Sequence, residues 1–193
     1  MSVHSSGVHV LCAPRSPEYA ELVSADRVQS LLSLLRTYYD YVIVDTSPSF
    51  TDVTITAIES SSILFFVTGL DISILRNSKL SVSLLESLQQ TDKIRLVVNR
   101  AVDMNSITIN DVQKIIGYPI WAKIPSDYKV AVNALNRGVP FVTGAPNSKL
   151  SASISGLTEI LIKGTTDYDL MGKYKNNNNN NNNKKKLGLF KKK

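Results

Sequence analysis

The sequence predicts an α/β protein with a doubly wound, mostly parallel sheet. Three observations carry that expectation. Short apolar runs rich in β-branched and aromatic residues recur at residues 41–45, 62–68 and 94–98. The runs are continuous rather than alternating, as in strands buried on both faces of a parallel sheet. Stretches with apolar residues at helical spacing separate them, and alternating strands and helices with right-handed crossovers build a parallel sheet.

Taken in order, residues 8–11 read as a first strand, ended by a loop in which Pro14 and Pro17 forbid regular structure. Ser24 or Asp26 can cap a helix whose Val28, Leu31, Leu32 and Leu35 share one face. Residues 41–45 form the expected central strand. Thr51 or Asp52 then caps a helix through Ile58, and residues 62–68 give a second apolar strand. Asp71 and Ser73 both suit the cap of a long helix over 74–88, with Leu84, Leu85 and Leu88 facing inward. A third strand covers 94–98 and closes on Asn99 and Arg100. A helix over 108–116 is stopped by Gly117, a short strand follows at 120–122, and Gly138 stops a helix over 130–136. An amphipathic helix spans 150–162.

The domain organisation follows from composition. Residues 1–165 hold the α/β pattern, and 193 residues suffice for one such domain with a real core. Residues 166–183 read as an Asn-rich linker, because the eight asparagines of 176–183 have nothing to bury. Residues 184–193 form a basic amphipathic tail. The eight lysines from Lys173 onward, with no acid among them, exceed the whole net charge of +6, so the preceding body carries about −2. That body offers no basic footprint for DNA. A single cysteine, Cys12, excludes a disulfide framework, and His4 and His9 lack any companion ligand motif. The opening MSVHSSG lacks the features of a signal peptide, and the longest apolar run is far short of a membrane span, so the chain reads as cytoplasmic.

Residues 41–49, YVIVDTSPS, are the most informative stretch. A carboxylate at the carboxyl end of a buried strand stands where open α/β sheets bind ligands. Asp45 there supplies the hard oxygen that a phosphate-bound Mg²⁺ uses, acting through water. The plainer reading is that Asp45 starts a turn or caps the next helix. In the tail, Lys184, Lys185 and Lys186 precede the apolar Leu187, Leu189 and Phe190. They suit an anchor on an anionic membrane surface, and equally a solubilising end.

YDYVIVDTSPSF (residues 39–50), LFFVTGLDISILRNSKL (64–80), LVVNR (96–100), then IPSD and GVPF, together resemble the MinD/ParA family of deviant P-loop ATPases. With APRSPEYAELV (13–23), they are most similar to its pilus-assembly branch, often called CpaE or TadZ. The resemblance spans roughly residues 8–163. It implies a P-loop NTPase-like fold, ATP and Mg²⁺ as cofactors, and a nucleotide-dependent homodimer. It also implies pilus-assembly or cell-division proteins as partners, at the inner face of the cell membrane. In that family Asp45 would hold Mg²⁺ through water and couple the γ-phosphate to the switch II loop of Thr46, Ser47 and Pro48. Asn99 would hydrogen-bond adenine, with Pro125, Ser126 and Asp127 lining the base pocket. Arg100 either closes over the base or is a surface cation, and Asn99 alternatively caps a helix or turn.

The sequence departs from the family at its start. A KGGxGKT-type P-loop, whose amides and lysines cradle phosphates, does not occur in these 193 residues, nor does the switch I acid. The chain therefore reads as the C-terminal portion of such an ATPase, with an unpaired strand edge where the P-loop strand would lie. On its own it is expected to bind ATP weakly and to hydrolyse it negligibly. The alternative is a non-catalytic scaffold or localisation module of the same fold.

Overall fold

The computed structural model describes residues 1–14, 16–20, 22–102 and 107–163. The asparagine run and the Lys184–Phe190 anchor expectation lie outside the described residues. The chain divides into two compact units. The first comprises Met1–Leu64 with Ser87–Ile94, the second Phe65–Glu86 with the described residues from Arg95 onward.

The first unit opens on a hairpin. β1 (Ser2–Val3) pairs antiparallel with β2 (His9–Val10), and the turn uses Gly7 at φ +88°. The expected strand over 8–11 is thus a two-residue partner in a local hairpin rather than a member of a parallel sheet. The short α1 (Pro17–Ala20) leads to α2 (Ala25–Tyr38). Ser24 occupies the cap position of α2 without a side-chain hydrogen bond. Leu32 is the buried residue of its apolar stripe. α2 packs on α3 (Asp52–Ser60), which Thr51 caps by accepting from the Thr54 N–H. At the other end of α3, Lys93 Nζ donates to the carbonyls of Ile58 and Glu59, at 3.2 and 2.9 Å, where the helix dipole favours a cation.

Residues 41–45 correct the sequence reading. They form no strand, and Tyr41 and Ile43 are 63% and 89% exposed. A β-branched run becomes a strand only when neighbours satisfy its N–H and C=O groups, and no described strand pairs with this one.

The second unit holds the sheet, in the order β3 (Leu64–Thr68), β4 (Ile94–Ala101), β5 (Ile120–Pro125). β4 and β5 are parallel, and among the described residues the sheet has three strands where the sequence suggested more. Between β3 and β4 runs α4 (Ile72–Ser87), capped by Asp71 Oδ1, which accepts from the N–H groups of Ser73 and Ile74. Its buried stripe is Leu75, Ser78, Val82 and Leu85; Leu84, expected inside, is exposed, because the stripe runs one residue to the other side of it. α5 (Ile109–Ile116) joins β4 to β5. It starts at a reciprocal Thr108–Asp111 capping box and ends at Gly117 with φ +90°.

Beyond β5 come α6 (Tyr128–Arg137), the short α7 (Phe141–Gly144), which the sequence reading missed, and α8 (Lys149–Lys163). Apolar residues cluster in two groups. Leu75, Val82, Leu96, Val98, Val112 and Ile116 join α4 and α5 to the strands. Val97, Trp121, Ala122, Ile124 and Leu150 join β4 and β5 to α8. Because successive strand residues point to opposite faces, Leu96 and Val98 enter one cluster and Val97 the other. Helices on both faces make this the doubly wound α/β arrangement that the continuous apolar runs predicted.

Candidate functional site

The second unit brings Asn99, Arg100, Pro125, Ser126 and Asp127 to the carboxyl ends of two neighbouring parallel strands. The reason is the register of β4 on β5. Val98 lies opposite Lys123, but Ala101 lies opposite Pro125, so β4 spends one more residue than its partner over this step. Earlier, between Leu96 and Val97, β5 carries the extra residue. The second irregularity is a β-bulge that contains Asn99 and Arg100. It ends the alternation that buries Leu96 and Val98 and turns both polar residues outward, where they are exposed. Asn99 and Arg100 lie inside β4, which ends at Ala101, three residues beyond the strand end expected from the apolar run.

Arg100 takes φ +51°, a left-handed conformation uncommon for a long side chain. Its N–H donates to Asn99 Oδ1 at 2.8 Å. On the neighbouring strand, the Ser126 N–H donates to the Ala101 carbonyl at 3.2 Å, which continues the ladder past Pro125. The Asp127 carboxylate is committed to α6: its Oδ1 accepts from the Val130 N–H at 3.1 Å as an N-cap. Asp127 therefore shapes the floor of this strand-end region by fixing where α6 begins. The bulge left little trace in the sequence beyond a polar Asn-Arg pair ending an apolar run, since Arg is not a residue that announces positive φ.

Asp45, Thr46, Ser47 and Pro48 belong to the first unit. Asp45 is exposed, and Ser47 Oγ donates to the Ser49 carbonyl at 3.5 Å, a weak turn contact that precedes the Thr51 cap of α3. Among the described residues, no three His, Cys, Asp or Glu side chains gather into a metal-binding group. A lone exposed carboxylate fits Mg²⁺ held mainly by phosphates and water, and does not fit a protein-built cage. A cleft of about 290 Å³ also opens in the first unit, between α2 and α3, lined by Gln29, Leu32, Ser33, Arg36, Thr56, Glu59 and Ser60. It includes none of the residues singled out from the sequence. No helix among the described residues is long and apolar enough to cross a membrane.

No family model matches the chain. It is 31% identical over 163 residues to a putative septum site-determining protein MinD of Oltmannsiellopsis viridis, covering 80% of this chain and 50% of that protein. To the septum site-determining protein MinD of Synechocystis it is 28% identical over 127 residues, 63% of this chain and 47% of that one. The chain thus spans about half the length of the relatives it matches. Among solved structures, a ParA family ATPase from Chlorobium tepidum superposes with a TM-score of 0.70 at 30% identity, covering 74% of this chain and 59% of that one. The MinC:MinD cell division complex of Aquifex aeolicus gives 0.66 at 19% identity, over 77% and 63%. MinD from Pyrococcus horikoshii, complexed with Mg-ADP, gives 0.59 at 22%, over 72% and 56%. The similarity in sequence and fold is to MinD and ParA-type ATPases, and the α/β fold is of their P-loop NTPase-like kind.

Proposed function

We propose that this chain is the base-binding portion of a MinD/ParA-like ATPase that positions other machinery at a membrane. The observation that carries the reading is the strand-end group in the second unit, where a β-bulge presents Asn99 and Arg100 beside Pro125 and Ser126. Crevices outside the carboxyl ends of parallel strands are where such sheets bind ligands. The Pyrococcus horikoshii relative in complex with Mg-ADP supports nucleotide and Mg²⁺ as the ligands. Asn99 would contact adenine, Pro125 and Ser126 would line the base, and Asp45 would hold Mg²⁺ through water. When bound, Mg²⁺ would neutralise phosphate charge. Within this chain the residues' own work is to orient the base and to relay the metal's presence to the loop of Thr46, Ser47 and Pro48.

A phosphate cradle of the GK[ST] type is not among these 193 residues. The finer reading keeps the pilus-assembly branch, a nucleotide-dependent homodimer and a peripheral membrane position. The MinC:MinD complex supports the cell-division partner as the other possibility. A non-catalytic localisation module of the same fold is the second reading.

A thermal melt with and without excess Mg-ATP tests the proposal, since a ligand of the folded state alone raises Tm by mass action. The expected result is a cooperative transition shifted upward, with a shift that depends on Mg²⁺ in the wild type and not in Asp45→Asn. A cooperative melt that ATP leaves unmoved would replace this reading with the localisation module.

A further inference from the structure

We propose that the peptide N–H of Arg100, rather than its guanidinium, sets which purine Asn99 accepts. The inference rests on the reading above that Asn99 faces the base.

A backbone N–H can only donate, so the Asn99 atom 2.8 Å from it is the carboxamide oxygen, not the nitrogen. An asparagine amide without such a pin can rotate by half a turn and exchange its donor and acceptor ends. It would then serve a 6-aminopurine edge, which pairs a donor with an acceptor, as readily as the reversed order of a 6-oxopurine. The Arg100 N–H removes that freedom. Oδ1 keeps a second lone pair for a base amino group, and Nδ2 keeps its protons for a ring nitrogen. A base of reversed order would force the flip, break the bond to Arg100 and set Nδ2 against an N–H.

The pin exists because of the bulge. The extra residue on β4 and the φ of +51° at Arg100 aim its N–H back at the preceding side chain. Both features are costly for an arginine in a strand, and backbone strain of this sort persists where the surrounding structure fixes it. The Arg100 guanidinium makes no hydrogen bond to the described residues, which leaves its main chain as the part engaged with Asn99. The positioning residue is therefore Arg100, and the group it positions is the Asn99 carboxamide.

The test compares ATP with ITP, whose base carries a 6-oxo group and an N1–H where adenine has a 6-amino group and an unprotonated N1, by Mg²⁺-dependent binding to the full chain and three variants. Wild type should prefer ATP by roughly fivefold, the worth of one net hydrogen bond. Arg100→Gly keeps the N–H and tolerates positive φ, so it should hold that ratio within about twofold. Arg100→Pro removes the N–H and should bring the ratio to about one, as should Asn99→Ala. A ratio lost in Arg100→Gly, or kept in Arg100→Pro, overturns the inference while leaving Asn99 as a base contact. A preference untouched by Asn99→Ala, or no binding of either nucleotide by wild type, overturns the nucleotide reading itself. Should Arg100→Pro fail to fold, amide hydrogen exchange decides. The Arg100 N–H should exchange at least tenfold faster in Asn99→Ala than in wild type, and equal rates remove the pin.

Discussion

Thr68 Oγ1 and Ser78 Oγ stand 2.8 Å apart, a buried hydroxyl pair that ties the end of β3 to the middle of α4. They are 3% and 6% exposed, so each is the other's substitute for water. Removing one strands the other, whereas removing both does not. Thr68→Val or Ser78→Ala alone should cost about 1–3 kcal/mol, and the double variant should cost less than the sum of the two. Urea unfolding of the four proteins gives the answer. Additive losses would mean that each hydroxyl finds another partner.

The Thr108–Asp111 capping box makes the start of α5 sensitive to acid. Asp111 Oδ2 accepts from the Thr108 hydroxyl at 2.6 Å and from the Thr108 N–H at 2.9 Å, while the Asp111 N–H donates to Thr108 Oγ1 at 3.2 Å. The Thr108 hydroxyl, then its N–H, and more weakly Lys114, hold the Asp111 carboxyl below its ordinary 3.8. A carboxyl lowered by folding stabilises the native state above its unfolded value, and that contribution disappears as pH falls through the folded value. Asp111→Asn should therefore be less stable than wild type near pH 6, with the gap closing below about pH 4. A gap independent of pH would assign the loss to something other than the carboxylate.

Gly117 ends α5 at φ +90°, and the nearest atom to an added Cβ would be Lys79 Nζ, 3.8 Å away. Space is available, so any penalty is conformational. Gly117→Ala should lower stability by about 1 kcal/mol through the backbone alone. The Lys79 ammonium donates to the neighbouring Ile116 carbonyl at 3.3 Å and should continue to do so. A neutral Gly117→Ala would show that the helix end relaxes away from the left-handed region.

Residues 41–44 are apolar, Tyr41, Ile43 and Val44 are exposed, and no described strand pairs with them, the combination that favours contact between chains. Ile43→Lys should leave the melting temperature nearly unchanged, because Ile43 buries little, and should reduce concentration-dependent association. Light scattering over a dilution series reports this directly. Unaltered association would place the adhesive surface elsewhere.

Much of the second unit was legible in the sequence because its signals are local. Asp71 and Thr108 cap helices through their own side chains, and Gly117 and Gly138 end helices at positive φ. The run at 94–98 lies within β4, and that at 62–68 forms β3 from Leu64 onward. Where tertiary partners decide, the reading failed. Residues 41–45 have the composition of a buried strand but no described strand beside them. Residues 8–11 found a nearer partner in Ser2 and Val3 across a glycine turn. Leu84 and Leu85 are chemically alike, and only the rotation of α4 on the sheet buried one and exposed the other.

The candidate site divides the same way. The chain alone dictates its residue types: a polar Asn-Arg pair ending an apolar strand, an Ile-Pro-Ser-Asp turn, and an acid after an apolar run. It determined the fold class too, since hydrophobic continuity and helical period are properties of neighbouring residues. That β4 bulges against β5, that Arg100 is left-handed, and that its N–H holds the Asn99 oxygen came from packing between distant segments. Register is a relation between paired residues more than twenty positions apart. It is set by the packing of Val97, Trp121 and Ala122 on α8, and no single stretch of sequence contains it.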